Sequence, residues 1–410
     1  MNSYAILILV ALLLEWSLGL IADLLNLSAL KDDLPAECED VYDAETYRRS
    51  QEYTRARTRF GLIPSSVQLV LLLGFWFFGG FATLDRAVVG LELSAIPTGL
   101  CFIGALLVLH TVVNLPFSYY STFVIEERFG FNRSTRKTFF LDLVKGTVLI
   151  AVIGAPVLAA ILWLFESTGE LAWLWCWGVL TAFTLVLQYI APTWIFPLFN
   201  KFEPLEDGEL KQAIMGYAQK VSFPLSGLFV IDGSRRSSKA NAFFTGFGRN
   251  KRVALFDTLI KNHGTEELVA VVAHEIGHFK RKHILKSMLL SIVHTGLVFW
   301  IMSKVLSLDG MFEAFGIEGR PLYAGLVFFS LIYTPVELVL SFILQALSRR
   351  NEFEADQYAA ETTGTPESLA AGLLKLSTDS LSNLTPHPFY VAMNHSHPPV
   401  LERVAALRRP

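Results

Sequence analysis

Seven apolar segments, each long enough to cross a hydrocarbon core of about 30 Å, constrain this chain more than any other feature. They are Tyr4–Leu30, Pro64–Leu84, Ala95–Phe117, Gly146–Leu164, Leu171–Trp194, Lys286–Val305 and Leu322–Leu344. Hydrophobic residues make up 52% of the sequence and charged ones 17%, a balance that excludes an ordinary soluble enzyme. The segments therefore read as membrane helices. Met1–Leu30 has no positively charged start and no small-residue cleavage site, so it reads as a retained first span and not a signal peptide. The last two spans carry His294 and Glu337. Ionisable groups at membrane depth are functional candidates by default, although His294 and His110 read more simply as hydrogen-bonded packing residues.

Charge orients the bundle. Of the 34 Lys and Arg, only Arg86, Lys304 and Arg320 lie on one side of the expected membrane. The positive-inside rule then places the N-terminus outside and the C-terminus in the cytoplasm, as an odd number of spans requires. The formal net charge of −3 argues against nucleic acid as a partner. Cys38 falls on the cytoplasmic side and Cys101 and Cys176 within spans, so three free thiols are expected.

Just before the sixth span the sequence reads Val271-Val272-Ala273-His274-Glu275-Ile276-Gly277-His278. On a helix, His274 and His278 project from one face a turn apart, so both can reach one tetrahedral Zn²⁺. Glu275 sits beside them, where it can take a proton from the attacking water. A third ligand is still needed. An extended motif would require Gly and His where Arg281 and Ile284 stand, and His283 is one residue out of register. A carboxylate on a second helix is the other solution. Glu352 and Asp356 are four apart and share a face, so Glu352 can be the ligand while Asp356 accepts the outer N–H of a ligating His. Glu354 points elsewhere and reads as a solvated carboxylate.

The soluble part is split between residues 199–285 and 348–410, with five spans over 1–198 and two over 286–347. Leu228–Asp232, Ala242–Phe247 and Arg252–Phe256 read as short strands, with turns at Gly233 and Gly248-Arg249-Asn250. A helix starts at Thr265, with the hydroxyl as cap, and can run on into span six. A small sheet beside a metal helix suits an extended peptide, which can add to a free edge. Asn241, just before the Phe-rich strand, could bond a substrate main chain or simply shape a turn. Near the C-terminus, His397 precedes Pro398-Pro399. A His or Arg there could stabilise an oxyanion near the metal, or cap its own loop. The expected fold is thus mostly α: a polytopic membrane protein of about seven transmembrane helices with a small α+β zinc-metalloprotease domain.

Four motifs occur in order: Ser237 to Phe256 with Asn241-Ala242-Phe243, His274 to His283, Glu352-Phe353-Glu354-Ala355-Asp356, and His397-Pro398-Pro399 followed by Leu401-Glu402-Arg403. Together they resemble the type I CAAX prenyl endopeptidases, seven-span membrane zinc metalloproteases with a gluzincin-type site. The resemblance covers nearly the whole chain. It implies one Zn²⁺ per chain on His274, His278 and Glu352, with Glu275 as base and then acid. It further implies Asp356 behind the ligands, Arg403 supporting the site, Asn241 on the substrate backbone and His397 near the oxyanion. It also implies a large chamber enclosed by the seven helices.

The implied reaction removes the last three residues of a C-a-a-X tail after prenylation of its Cys. The expected partners are a peptide or protein substrate, prenylated or not, and the lipid bilayer. The ending Leu407-Arg408-Arg409-Pro410 carries no retrieval signal, and no long insertion is present, so a bacterial inner membrane is expected over the endoplasmic reticulum. There, cleavage of misfolded or tethered membrane peptides would be the working role. Two alternatives remain. A membrane quality-control metalloprotease shares the metal motifs but has fewer spans. A zinc-dependent transporter would have no use for Glu275 beside its ligands.

Overall fold

The computed structural model describes residues 1–410 except 32, 35–38, 40–41, 246–250 and 410. Cys38, the Gly246-Phe247 end of the expected second strand and the Gly248–Asn250 turn lie outside the described residues.

Among the described residues, seven helices are long and apolar enough to cross a membrane. The first four are α1 (Ser3–Ser28), α2 (Ala44–Phe77), α4 (Ala95–Tyr120) and α5 (Arg136–Ser167), with a short α3 (Gly80–Val89) after α2. Several starts follow from capping: Asn2 Oδ1 accepts from Ala5 N at 3.0 Å and Asp43 Oδ1 from Thr46 N at 2.8 Å. The second span differs from expectation. It begins twenty residues before Pro64 and stops at Phe77, where Gly79 turns the chain at φ 73° into α3. Pro64 is held inside the helix, a tolerance common in membrane helices. The fifth span is α6 (Ala172–Ile190). Spans three and five run on as single π-helical turns at Ser121–Glu126 and Ala191–Ile195. Val70, Val108, Val152, Trp175 and Val293 stay exposed, as lipid-facing side chains must.

After the fifth span comes a four-stranded sheet, β1 (Phe202–Pro204), β2 (Leu225–Ile231), β3 (Ala242–Thr245) and β4 (Lys251–Phe256), in the order β1-β2-β4-β3. β2 and β4 are parallel; β1 and β3 pair antiparallel on either side. β1 escaped the sequence reading because Pro204 cannot donate to a ladder, a defect harmless on an edge. Helix α7 (Glu209–Lys220) and the short α8 (Asp257–Asn262) flank the strands, followed by α9 (Thr265–Lys280). Ile214, Leu228, Val253, Leu255, Val272 and Ile276 form the core between sheet and helices. Truncating Ile276 to Ala there costs about 2–5 kcal/mol.

Helix α9 is not capped by Thr265. Gly264 precedes it, with its N–H donated to Glu267 Oε2 at 3.0 Å, and Thr265 is the first helical residue. Nor does α9 run on into span six. The chain reverses at Lys282, φ 62°, before α10 (His283–Val305). A short α11 (Asp309–Glu313) leads to α12 (Leu322–Thr363), which serves as the seventh span and continues unbroken past Glu352 and Asp356. Helices α13 (Pro366–Asp379), α14 (Pro388–Asn394) and α15 (Val400–Leu407) close the chain. Within the spans, His294 Nε2 lies 3.2 Å from Tyr333 Oη and 3.5 Å from Glu337, and His110 bonds Asn114 at 3.1 Å.

Ion pairs tie the sheet to the membrane helices. Arg236 forks onto Asp142 of α5 at 2.8 and 3.1 Å, and Lys239 reaches Glu126 at 3.0 Å and Tyr53 of α2 at 2.6 Å. Both cations lie in the loop that leads to Asn241 and β3.

Candidate active site

Helices α9 and α12 cross where Gly277 stands. A Cβ at that position would meet the Ala355 carbonyl oxygen at 3.0 Å, so only a bare Cα lets the backbones approach this closely. This approach brings the His pair of α9 against the acidic pair of α12. His274 Nε2 and His278 Nε2 are 3.1 Å apart, and Glu352 contributes Oε1 at 3.2 Å from His278 and Oε2 at 3.5 Å from His274. Among the described residues, this is the one group of three or more His, Cys, Asp or Glu placed to share a metal ion.

Behind the cluster, His274 Nδ1 lies 2.8 Å from Asp356 Oδ1. Arg403 of α15 is buried and forks onto Asp356, Nε to Oδ2 at 2.7 Å and Nη2 to Oδ1 at 2.6 Å, while its Nη1 lies 3.2 Å from Glu352. Burial disfavours a charge on His274, but the hydrogen bonds to Asp356 and Glu352 outweigh it and push its pKa up to about 9.

The remaining expected residues converge on the same cleft. Glu275, Asn241 and His397 line it together with His274 and Glu352, around a space of about 510 Å³. His397 Nε2 is 3.4 Å from Glu352 Oε1, and its Nδ1 bonds Ser396. Asn241 is exposed at the foot of β3, its Oδ1 accepting from Ala242 N at 2.8 Å. Among the described residues β3 pairs with β4 alone, so its other edge faces away from the ladder. Ser380, Ser382, Asn383 and His395 form a wall common to the cleft and a neighbouring cavity of about 940 Å³ bordered by α1 and α2.

Three residues here went unrecognised in the sequence. His283 is buried with Nδ1 3.1 Å from His278 Nδ1, and Glu354, expected in solvent, lies 3.1 Å from His283 Nε2. Arg349 donates to the Val391 and His395 carbonyls at 3.2 and 2.8 Å, holding the loop that carries His397. A fivefold spacing from His278 places His283 off the helical face; only the reversal at Lys282 returns it.

A His pair, a buried carboxylate and a lone Glu facing a cleft, in a chain with seven helices fit to cross a membrane, define a membrane metalloendopeptidase. Residues 23–201 match the CAAX prenyl protease N-terminal family of five membrane helices, and residues 204–410 match Peptidase family M48. The chain belongs to family M48. It is 36% identical to CAAX prenyl protease 1 of Saccharomyces cerevisiae, over 91% of this chain and 88% of that protein. It is 33% identical to the Homo sapiens CAAX prenyl protease 1 homolog, over 92% and 88%. The crystal structure of S. mikatae Ste24p superposes with a TM-score of 0.95 at 34% identity, covering 100% of both chains. The expected seven-span fold with a small metalloprotease sheet is therefore correct.

Proposed function

We propose that this chain is a zinc endopeptidase that cleaves near the C-terminus of prenylated C-a-a-X substrates. The reading rests on one observation: the ligand cluster and the foot of the edge strand β3 line one cleft, which shares four wall residues with a cavity among the membrane helices. An extended tail can enter that cavity and pair with β3, and the apolar strip of Leu12, Leu20, Leu69 and Leu72 within an otherwise mostly polar lining can take a prenyl chain.

The donor set fits one Zn²⁺ per chain. The 3.1 Å between the two Nε2 atoms and the 3.2 Å from His278 Nε2 to Glu352 Oε1 lie near the roughly 3.3 Å between donors of a tetrahedron with bonds of about 2.0–2.1 Å, while His274 Nε2 is 3.5 Å from the other carboxylate oxygen. Buried Glu352 Oε2 also has no well-formed hydrogen bond among the described residues, although the Arg403 guanidinium lies beside it. Zinc would supply Lewis acidity to the scissile carbonyl and to water. The protein's own residues do the rest. Asn241 and the β3 edge hold the substrate backbone extended. Glu275 accepts a proton from the attacking water and returns it to the departing amine, so one water is consumed and two termini form. His397 donates to the oxygen that gains charge as the carbonyl becomes tetrahedral. Asp356 and Arg403 keep His274 in the tautomer that leaves Nε2 free for the metal.

The cytoplasmic placement of the catalytic parts, residues 199–285 and 348–410, and of the C-terminus follows from the one-sided Lys and Arg. The relatives named above are eukaryotic and lend no support to a bacterial inner membrane. The deciding experiment compares a farnesylated C-a-a-X peptide with its unprenylated twin, using purified wild type and Glu275→Ala with zinc content measured in both. Selective cleavage of the prenylated peptide, lost in the zinc-loaded variant, is the expected result. Equal cleavage of both peptides would favour membrane quality control. No cleavage by the zinc-loaded wild type would remove the C-a-a-X reading.

A further inference from the structure

We infer that His283 and Glu354 form a relay that orients His278, so that the two ligating histidines are held by unlike devices. The inference rests on the metal-site reading above. His278 turns Nε2 toward His274 and Glu352, at 3.1 and 3.2 Å, and Nδ1 away from them toward His283 Nδ1 at 3.1 Å. His283 Nε2 in turn lies 3.1 Å from Glu354 Oε2, and Glu354 Oε1 accepts from Arg350 Nε at 3.1 Å.

Proton counting gives the chain a single direction. A neutral imidazole that offers its Nε2 lone pair to a metal carries its proton on Nδ1. His278 Nδ1–H therefore donates, and His283 Nδ1 must be bare. His283 then carries its proton on Nε2 and donates it to the Glu354 carboxylate. Each polar atom has one role, and the order ends on an ionised group.

Backbone geometry builds the relay at a cost. His283 can fold back on His278 only because Lys282 takes a left-handed conformation, φ 62°, which a residue with a Cβ seldom adopts. The His283 side chain is then buried, 3% exposed, at the start of a membrane helix where an apolar residue would pack without needing partners. His274, by contrast, meets Asp356 directly at 2.8 Å. His278 is the more exposed ligand, and its support passes through a second ring to a half-buried carboxylate. His283 and Glu354 are positioning residues that act through His278.

The test measures the zinc affinity of the purified full-length protein by competition with a chromophoric chelator, together with the visible spectrum of the Co²⁺ form. His283→Ala is expected to weaken zinc binding about 10- to 100-fold and shift the Co²⁺ bands. His283→Gln should restore both to within a few-fold, because its Oε1 can accept from His278 and its amide can donate to Glu354. Glu354→Ala should fall between them. Unchanged affinity and spectrum in His283→Ala would overturn the relay while leaving the metal site intact. A Gln variant as weak as the Ala variant would also overturn it, by making His283 a packing residue. Absence of zinc binding by the unaltered protein would instead defeat the metal-site reading, and the relay with it.

Discussion

Glu275 and Arg403 show how differently two charged residues of one cleft are held. Glu275 lines open space and is free to move a proton, so its replacement should spare the fold. Glu275→Gln is expected to lower kcat by about 10²–10⁴-fold with zinc content unchanged, read by peptide cleavage and metal analysis side by side. Arg403 is buried and spans Asp356 and Glu352. Its loss would strand carboxylates in a dry site, and Arg403→Ala should destabilise the protein by about 3–5 kcal/mol, seen as a lower Tm in the metal-free form. A Tm equal to that of wild type would show that water reaches Asp356. At this scale the sequence was informative wherever spacing alone sets geometry. His274, Glu275 and His278 lie on one helix, and so do Glu352 and Asp356. Glu354 was misread because helical phase says which face a residue occupies but not what a neighbouring helix brings to that face.

Elements meet at two backbone features. At Gly277 the approach of α9 to α12 leaves no room for a side chain against the Ala355 carbonyl. Gly277→Leu should force the helices apart, separate Glu352 from the His pair and lower zinc affinity at least about 10-fold, measured by the same chelator competition. At Lys282 the strain lies in φ. Lys282→Gly should be neutral or stabilising by up to about 1 kcal/mol, whereas Lys282→Val should lose about 1–2 kcal/mol; thermal unfolding of the pair distinguishes them. The break between α9 and α10 left no Gly or Pro in the sequence, which is why one continuous helix was the natural expectation there. Span two was misplaced for a related reason. Its first turns are polar and leave the membrane, so hydropathy could not mark where the helix begins.

For the whole molecule, spans and catalytic parts share helix α12, which carries the seventh crossing and the acidic pair without interruption. The bundle nonetheless has its own packing. Phe81, Phe102, Phe312 and Phe328 are buried among α3, α4, α11 and α12, apart from the cluster under the sheet. Chelation of zinc should therefore abolish cleavage while leaving far-UV helical content unchanged. A large loss of helix on chelation would mean that the metal holds the bundle together.

What the sequence alone determined is periodic or local: seven crossings, their charge bias, the His pair with its Glu, and the Glu352–Asp356 face. These follow from hydropathy over some twenty residues or from side chains one helical turn apart. What tertiary structure decided is which groups from distant parts of the chain meet. Arg403 reaches His274 across 129 positions and Glu354 reaches His283 across 71. Those contacts depend on a bare Cα at Gly277 and a left-handed turn at Lys282. Packing selected both, and no pattern of residue types along the chain encodes the distances that result.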